Sequence, residues 1–134
     1  MAVIESADNG RTWTEPVPVG LGTAQVPAFP LQLRDGRILL IYGNRQFPFG
    51  CQAIASRDLG KTWDIDNFLM LAYVSWDNYG GHPRSILMPD GSIITGYYAR
   101  YFKDNVLPGQ NINMDIVSHC LRWNVPPNWP QAKG

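Results

Sequence analysis

The sequence predicts an all-β fold, a partial β-propeller of about two and a quarter four-stranded antiparallel blades. The composition indicates this class: of 134 residues, 12% are aromatic, 16% are charged and eleven are proline. Such a chain is typical of turn-rich β proteins rather than helical ones. Two separate motifs also recur at nearly the same spacing, which indicates one structural unit used repeatedly.

The first repeated motif has the pattern S-x-D-x-G-x-T-W and occupies residues 6–13 and again residues 56–63. It predicts a tight turn, because an aspartate side chain accepts hydrogen bonds from nearby backbone N–H groups and glycine takes a positive φ cheaply. We expect the tryptophan to pack under the turn. The predicted structural residues are Ser6, Asp8, Gly10, Thr12 and Trp13, and in the second copy Ser56, Asp58, Gly60, Thr62 and Trp63.

The second repeated motif is an Asp-Gly pair between two apolar runs, at Asp35-Gly36 and again at Asp90-Gly91. This pair is a strong hairpin signal, because the turn requires positive φ. The sequence therefore predicts one hairpin from residues 30–33 and 37–42, and another from residues 85–88 and 92–98.

With the remaining strands, the sequence predicts three successive units of two, four and three strands. Residues 1–19 form half a blade, residues 27–71 a full blade and residues 82–125 a three-stranded blade. Strands at 51–55 and 63–71 flank the second S-x-D-x-G-x-T-W motif, and the last strand covers 114–123 after a polar loop at 103–113. Together these make one unit over 1–126, followed by an irregular tail at 127–134. Units of this size and strand number are propeller blades.

Charge and cysteine content exclude several classes of function. Eleven basic and eleven acidic residues cancel, and basic runs do not exceed two residues, so we expect neither nucleic acid nor a membrane as partner. Cys51 and Cys120 are interpreted as two partly buried free thiols, with a single disulfide as the alternative. Because His119 and Cys120 are adjacent in a strand and point to opposite faces, we predict no metal site and no cofactor. No signal peptide opens the sequence, and a secreted or periplasmic parent is compatible with it.

The repeated S-x-D-x-G-x-T-W motif resembles the Asp box of the sialidase (neuraminidase) superfamily. More narrowly, the sequence resembles uncharacterised bacterial sialidase-family proteins with BNR repeats. The elements that carry this are Tyr42-Gly43-Asn44-Arg45, Gly81-His82-Pro83-Arg84-Ser85 and Arg122-Trp123-Asn124-Val125-Pro126. The resemblance implies the C-terminal blades of a propeller of about six, and a parent acting as a glycoside hydrolase or polysaccharide lyase.

The resemblance departs from the sialidase pattern at two important points. Residues 48–50 replace the arginine usually found before an Asp box, and His82 stands where the nucleophilic tyrosine is expected. The resemblance would place the early arginine and the acid/base aspartate in blades that precede this sequence. We therefore expect no catalysis from this chain by itself.

Six residues form the predicted site. His82 is the candidate catalytic residue, because histidine transfers protons near neutral pH; the alternative is a surface-loop histidine without a role. Arginine suits carboxylate binding, and aromatic rings stack on sugars. The alternatives are solvated or packing side chains. The candidate substrate-binding residues are Arg45, Arg84, Asp77, Trp76 and Tyr97.

Two functional hypotheses follow. In the first, the chain is a fragment of a carbohydrate-active propeller with a sugar-binding surface. In the second, it is a self-assembling structural or binding module without enzymatic activity. Both predict a homo-oligomer, because a half blade and a three-stranded blade leave strand edges unpaired.

Overall fold

The computed structural model describes residues 1–22, 25–73, 80–102 and 114–130, and these contain β-strands and turns but no helix. The strands are β1 Ala2–Val3, β2 Val17–Pro18, β3 Gln25–Gln32, β4 Ile38–Asn44, β5 Gly50–Ser56, β6 Leu69–Ala72, β7 Gly81–Leu87, β8 Ile93–Phe102 and β9 Met114–Trp123.

The strands form three antiparallel sheets in chain order. The first sheet is β1-β2, the middle sheet is β3-β4-β5-β6 and the last sheet is β7-β8-β9. Each strand pairs with its neighbour in sequence, so each sheet is a simple meander. The predicted all-β class is confirmed, and the sheets have the two, four and three strands expected from the sequence.

Four predicted strand boundaries are wrong: β3 begins at Gln25 rather than at residue 30, β6 at Leu69 rather than at 63, β7 at Gly81 rather than at 85, and β8 ends at Phe102 rather than at 98. The strand after the second Asp box begins at Leu69 rather than at residue 63, because the intervening backbone is used in turns: the Asp64 N–H donates to Ala55 at 3.0 Å, and the Ile65 N–H to Trp63 at 3.1 Å. Strand β3 starts at Gln25 and contains two prolines. It tolerates them because it lies at the edge of its sheet, where proline costs fewest ladder bonds.

The middle sheet is buried on both faces. Successive residues of β4 point to opposite sides, so Leu39 and Ile41 face the last sheet while Leu40 and Tyr42 face the first sheet. The core towards the last sheet consists of Leu33, Leu39, Ile41, Ala53, Ala55 and Ile93, and the core towards the first sheet consists of Val19, Leu40, Tyr42 and Ile54.

Residues 126–130, which follow the last strand, pack against the end of the sheets that carries the second Asp box. Trp129 lies against the core of the middle and last sheets, and its Nε1 donates to the Asn67 carbonyl at 2.7 Å. The Arg57 guanidinium donates to the Pro130 carbonyl at 2.8 Å. Residues 126–130 form no strand, as predicted, yet they are fixed by these long-range bonds.

Candidate functional site

The two Asp boxes have nearly identical internal hydrogen bonds. The carboxylate of Asp8 accepts from the Thr12 N–H at 2.8 Å, the Thr12 hydroxyl at 2.7 Å and the Ser6 hydroxyl at 2.8 Å. Asp58 accepts from the Thr62 N–H at 2.8 Å, the Thr62 hydroxyl at 2.6 Å and the corresponding serine at 2.8 Å. Donors aimed at the ionised form favour it, so the N–H of Thr12 lowers the pKa of Asp8 to about 2, and the hydroxyl of Thr62 does the same for Asp58.

The glycines of both boxes take the left-handed conformation that the sequence predicts. Gly10 has φ 83° and Gly60 has φ 90°. The Ser6 hydroxyl oxygen accepts the Gly10 N–H at 2.7 Å, and the equivalent bond in the second box has the same length. These carboxylates and hydroxyls are therefore occupied in stabilising their own turns, which is a structural role.

The two box tryptophans differ in their surroundings. Trp63 is half-buried and packs against the core cluster between the first and middle sheets. Trp13 lies against its own Gly10 as Trp63 lies against Gly60, which agrees with the prediction for both boxes, but Trp13 is 58% exposed. The difference is that Trp63 lies in the core between the middle and first sheets, whereas Trp13 belongs to none of the core clusters of the described residues.

Among the described residues, the candidate substrate-binding residues Arg45, Arg84 and Tyr97 lie on the half of the sheets away from the Asp boxes. Because neighbouring strands are antiparallel, the end of β8 lies beside the start of β7, and the end of β4 lies at the same end of the sheets. Strands β3 and β7, the first of their sheets, are neighbours. Arg45 follows β4 at this end and is half-buried. Trp76 and Asp77 lie outside the described residues.

His82 lies inside β7, which begins at Gly81 rather than at the predicted residue 85, so the alternative of a surface-loop histidine does not apply. It has φ 47° and follows Gly81 at φ 98°, in the segment where the pairing of β7 with β8 changes register. The bulge keeps the residue in the sheet while turning its side chain outwards. The imidazole is exposed and lies 5.3 Å from the Tyr98 ring, centroid to centroid. A left-handed histidine is a strained conformation of the kind found at functional sites.

Arg84 lies two residues further along β7 and is also exposed. Its guanidinium carbon is 5.7 Å from the centroid of the Phe29 ring on β3, and Nη1 donates to the Pro83 carbonyl at 3.2 Å. The aromatic ring orients the guanidinium by a cation–π contact. The group therefore carries an oriented positive charge on the first strand of the last sheet.

Tyr97 is separated from His82 and Arg84 by the sheet itself. It stacks on His119 of β9 with ring centroids 5.4 Å apart and an interplanar angle of 17°. Burial raises the pKa of Tyr97. The hydroxyl of Tyr101 lies 2.9 Å from Nε2 of His119. The sequence analysis considered His119 only as a metal ligand and missed this ring cluster, although the cross-strand register would have pointed to it.

The cysteines are both free, as expected, but they are not both partly buried. Cys51 is completely buried, which raises its thiol pKa to about 12, whereas Cys120 is exposed. Within the described part of the chain, no three His, Cys, Asp or Glu side chains come together as metal ligands. The same residues contain no helix with the length and hydrophobicity needed to cross a membrane.

Comparison with known proteins gives one structural likeness. No protein-family model matches the chain, and no curated protein matches it either. A crystal structure of a protein of unknown function from Dyadobacter fermentans DSM 18053 is similar to 92% of this chain, with a TM-score of 0.65 and 22% sequence identity. The match covers 31% of that protein, so the chain spans about a third of the length of the structure it resembles. At this identity the likeness concerns the fold.

Proposed function

We propose that this chain is a fragment of a carbohydrate-active, sialidase-like β-propeller that presents a sugar-binding surface and is not catalytic by itself. The observation that carries the proposal is the exposed guanidinium of Arg84, oriented over Phe29 and two residues from the exposed His82 on the same strand. The two Asp boxes, with their matching hydrogen bonds, support the sialidase-like part of the proposal.

The outward face of the last sheet supports the idea of a fragment. Leu39 of β4 and Ile94 of β8 lie the same number of residues after the aspartate of their Asp-Gly turns, so they occupy equivalent positions in the two sheets. Their cross-strand partners, Ala55 and Arg122, are therefore equivalent too. Leu39 is 0% and Ala55 is 2% exposed, because the last sheet covers them. The corresponding face of the last sheet leaves Ile86 57% exposed. A sheet buries its apolar face against another layer, so we infer that a further sheet covers this face around Ile86, while Arg84 and His82 lie towards the other end of β7 at the border of the covered area.

The share of the Dyadobacter protein that is matched agrees with the proposal that this chain is a fragment of a propeller. Two and a quarter blades would make up about a third of a propeller with six or seven blades, within the usual four to eight. The segment matched in the Dyadobacter protein is 31% of its length.

The chemistry of Arg84 favours an acidic sugar. A guanidinium binds a carboxylate through two parallel hydrogen bonds, and its planar fork makes the geometry specific. The ring nitrogens of His82 would add further hydrogen-bonding groups beside the guanidinium. The adjacent Phe29 supplies an aromatic edge. We therefore expect uronic acid or sialic acid residues rather than neutral sugars on this face.

Isothermal titration with 3′-sialyllactose and polygalacturonate tests this function. We expect Arg84→Ala to weaken binding about tenfold or more, because a charge-assisted bidentate contact is worth about 1.5–3 kcal/mol. Arg84→Lys should weaken binding too, since an ammonium cannot form the bidentate pair. Arg11→Ala, which removes an exposed arginine in the first Asp box, is the matched control and should leave binding unchanged. Equal affinities for the three variants and the parent chain would refute the proposal.

The alternative function is a self-assembling module without enzymatic activity. The observation that favours it is the apolar exposure at both ends of the described chain: Ile4 is 48% and Val17 is 55% exposed in or near the first sheet, and Ile116 is 69% exposed in the last. Multi-angle light scattering at micromolar concentration distinguishes the two. A closed oligomer that buries Arg84 would favour assembly as the function, and a monomer would eliminate it.

A further inference from the structure

A second ligand site is indicated on the face of β8 and β9 opposite to Arg84, at the end of the strands where Tyr101 and Val117 of this core-facing side are exposed. Successive strand residues alternate between faces, so the residues of this face come at every second position of both strands. The geometry points to a binding site for a neutral pyranose sugar on this face, and the inference rests on the proposed carbohydrate-binding function. The residues of the site are Tyr97, Tyr101, Asp115, Val117 and His119.

The residues stacked in this site, Tyr97 and His119, occupy the same positions in the last sheet as a buried hydrogen-bonded pair occupies in the middle sheet. Tyr42 and Gln52 are cross-strand partners in the middle sheet, and the tyrosine hydroxyl donates to the glutamine side chain at 2.9 Å in a fully buried bond. Tyr97 lies as many residues after Asp90 as Tyr42 lies after Asp35, and its cross-strand partner in the last sheet is His119. Here the rings stack, and both are half-buried rather than buried. A core hydrogen bond has thus been replaced by an accessible aromatic pair.

The ring of Tyr101 is suited to stack on a sugar. It is 45% exposed, and its position is fixed by the 2.9 Å hydrogen bond to Nε2 of His119 and by an edge contact of 5.7 Å between the two rings. A ring held in place loses little side-chain freedom when a ligand binds. Val117 is 39% exposed and lies between Asp115 and His119 on the same face of β9, so it adds apolar surface beside the rings. Such a surface matches the C–H face of a pyranose.

Asp115 determines the charge class of the ligand. It is the cross-strand partner of Tyr101 and is exposed. A carboxylate offers about four lone-pair positions, so Asp115 can receive sugar hydroxyls beside the stacked ring in addition to its contact within the protein, and its negative charge disfavours a uronate or sialate. The site should therefore select neutral sugars, in contrast to the Arg84 face.

The two histidines of the chain provide the assay, because His119 and His82 lie on opposite faces of the last sheet. Their imidazole signals in NMR spectra report the two sites separately. The probes are cellohexaose, xylohexaose and mannohexaose as neutral sugars, and hexagalacturonate as an acidic one, each titrated to about 10 mM so that complexes with millimolar Kd are visible. We expect at least one neutral probe to shift the His119 signal and to leave the His82 signal unchanged.

Variants identify the contacts. Tyr101→Ala should weaken neutral-probe binding about tenfold, in keeping with the loss of an aromatic stack, and Asp115→Asn should weaken it severalfold while reducing discrimination against hexagalacturonate. Tyr73→Ala is the matched control, because Tyr73 is 72% exposed and lies outside the cluster. Asp115→Asn is conservative in shape, so it keeps the test valid if Tyr101→Ala fails to fold.

Three results would overturn the inference. One is a His119 signal that no neutral probe moves; another is binding that both variants leave intact. The third is a response of His82 alone to hexagalacturonate, which would support the proposed function at Arg84 and reject this second site.

Discussion

Replacing Ile93 by alanine tests the packing between the middle and last sheets. Ile93 is 0% exposed and belongs to the core that also contains Leu39 and Ala55. Its truncation removes buried methyl and methylene groups and leaves a cavity between two sheets that cannot easily collapse. Such substitutions cost about 2–5 kcal/mol, and we expect about 3 kcal/mol here.

Ile86→Ala is the matched control, since it is the same substitution on the neighbouring strand β7. The side chain of Ile86 lies on the outward face and is 57% exposed. Full burial of an isoleucine contributes about 1.5–3 kcal/mol, so a side chain that is less than half buried should cost about 1 kcal/mol.

Urea unfolding followed by circular dichroism measures both costs. With an m-value of about 1.5–2 kcal/mol per molar, the midpoint should fall by about 1.5–2 M for Ile93→Ala and by about 0.5 M for Ile86→Ala. The two variants should be compared at low and high protein concentration, because association would make stability depend on concentration.

This packing is refuted if Ile86→Ala costs as much as Ile93→Ala at every protein concentration. That result would mean that the outward face is covered within the chain itself. A cost for Ile86→Ala that grows with protein concentration would instead show that copies cover this face, in agreement with the self-assembling alternative.

Three further predictions concern pH, thiols and backbone packing. Because the folded-state pKa of Asp58 is about 2, below its ordinary 3.8, its contribution to stability is present above pH 4 and is lost as pH falls towards 2; melting temperatures from pH 6 to pH 2 should decline less steeply in Asp58→Asn. Ellman's reagent should modify Cys120 within minutes in the folded protein and Cys51 only in urea, since burial raises the pKa of the latter to about 12. A β-carbon at Gly50 would overlap the carbonyl oxygen of Ala72, so Gly50→Ala should break the pairing of β5 with β6 and destabilise the fold by more than about 2 kcal/mol in urea unfolding.

Each of these has a clear contrary outcome. A parallel pH dependence in Asp58→Asn would mean that other carboxylates cause the acid unfolding. Equal labelling rates for the two thiols would place Cys51 at the surface. A normal urea midpoint for Gly50→Ala would show that β6 is not held as closely to β5 as described.

The turns could be predicted from sequence because their chemistry is local. In each Asp box the carboxylate, its serine and threonine partners and the left-handed glycine lie within seven consecutive residues, as in the bonds of Asp8 to Thr12 and Ser6. The Asp-Gly hairpins are equally local. For this reason the all-β class, the number of strands and the role of the box residues followed from the residues alone.

The faces of the strands were decided by the tertiary structure. Tyr97 and His82 looked like members of one site, but the sheet separates them, because His82 lies on the outward face with Arg84 while Tyr97 faces the middle sheet. Burial depends on what packs against a side chain from elsewhere in the chain, and such contacts leave no short-range pattern. This explains why the same motif buries Trp63 and exposes Trp13, and why the role of His119 became visible only when β9 was paired with β8.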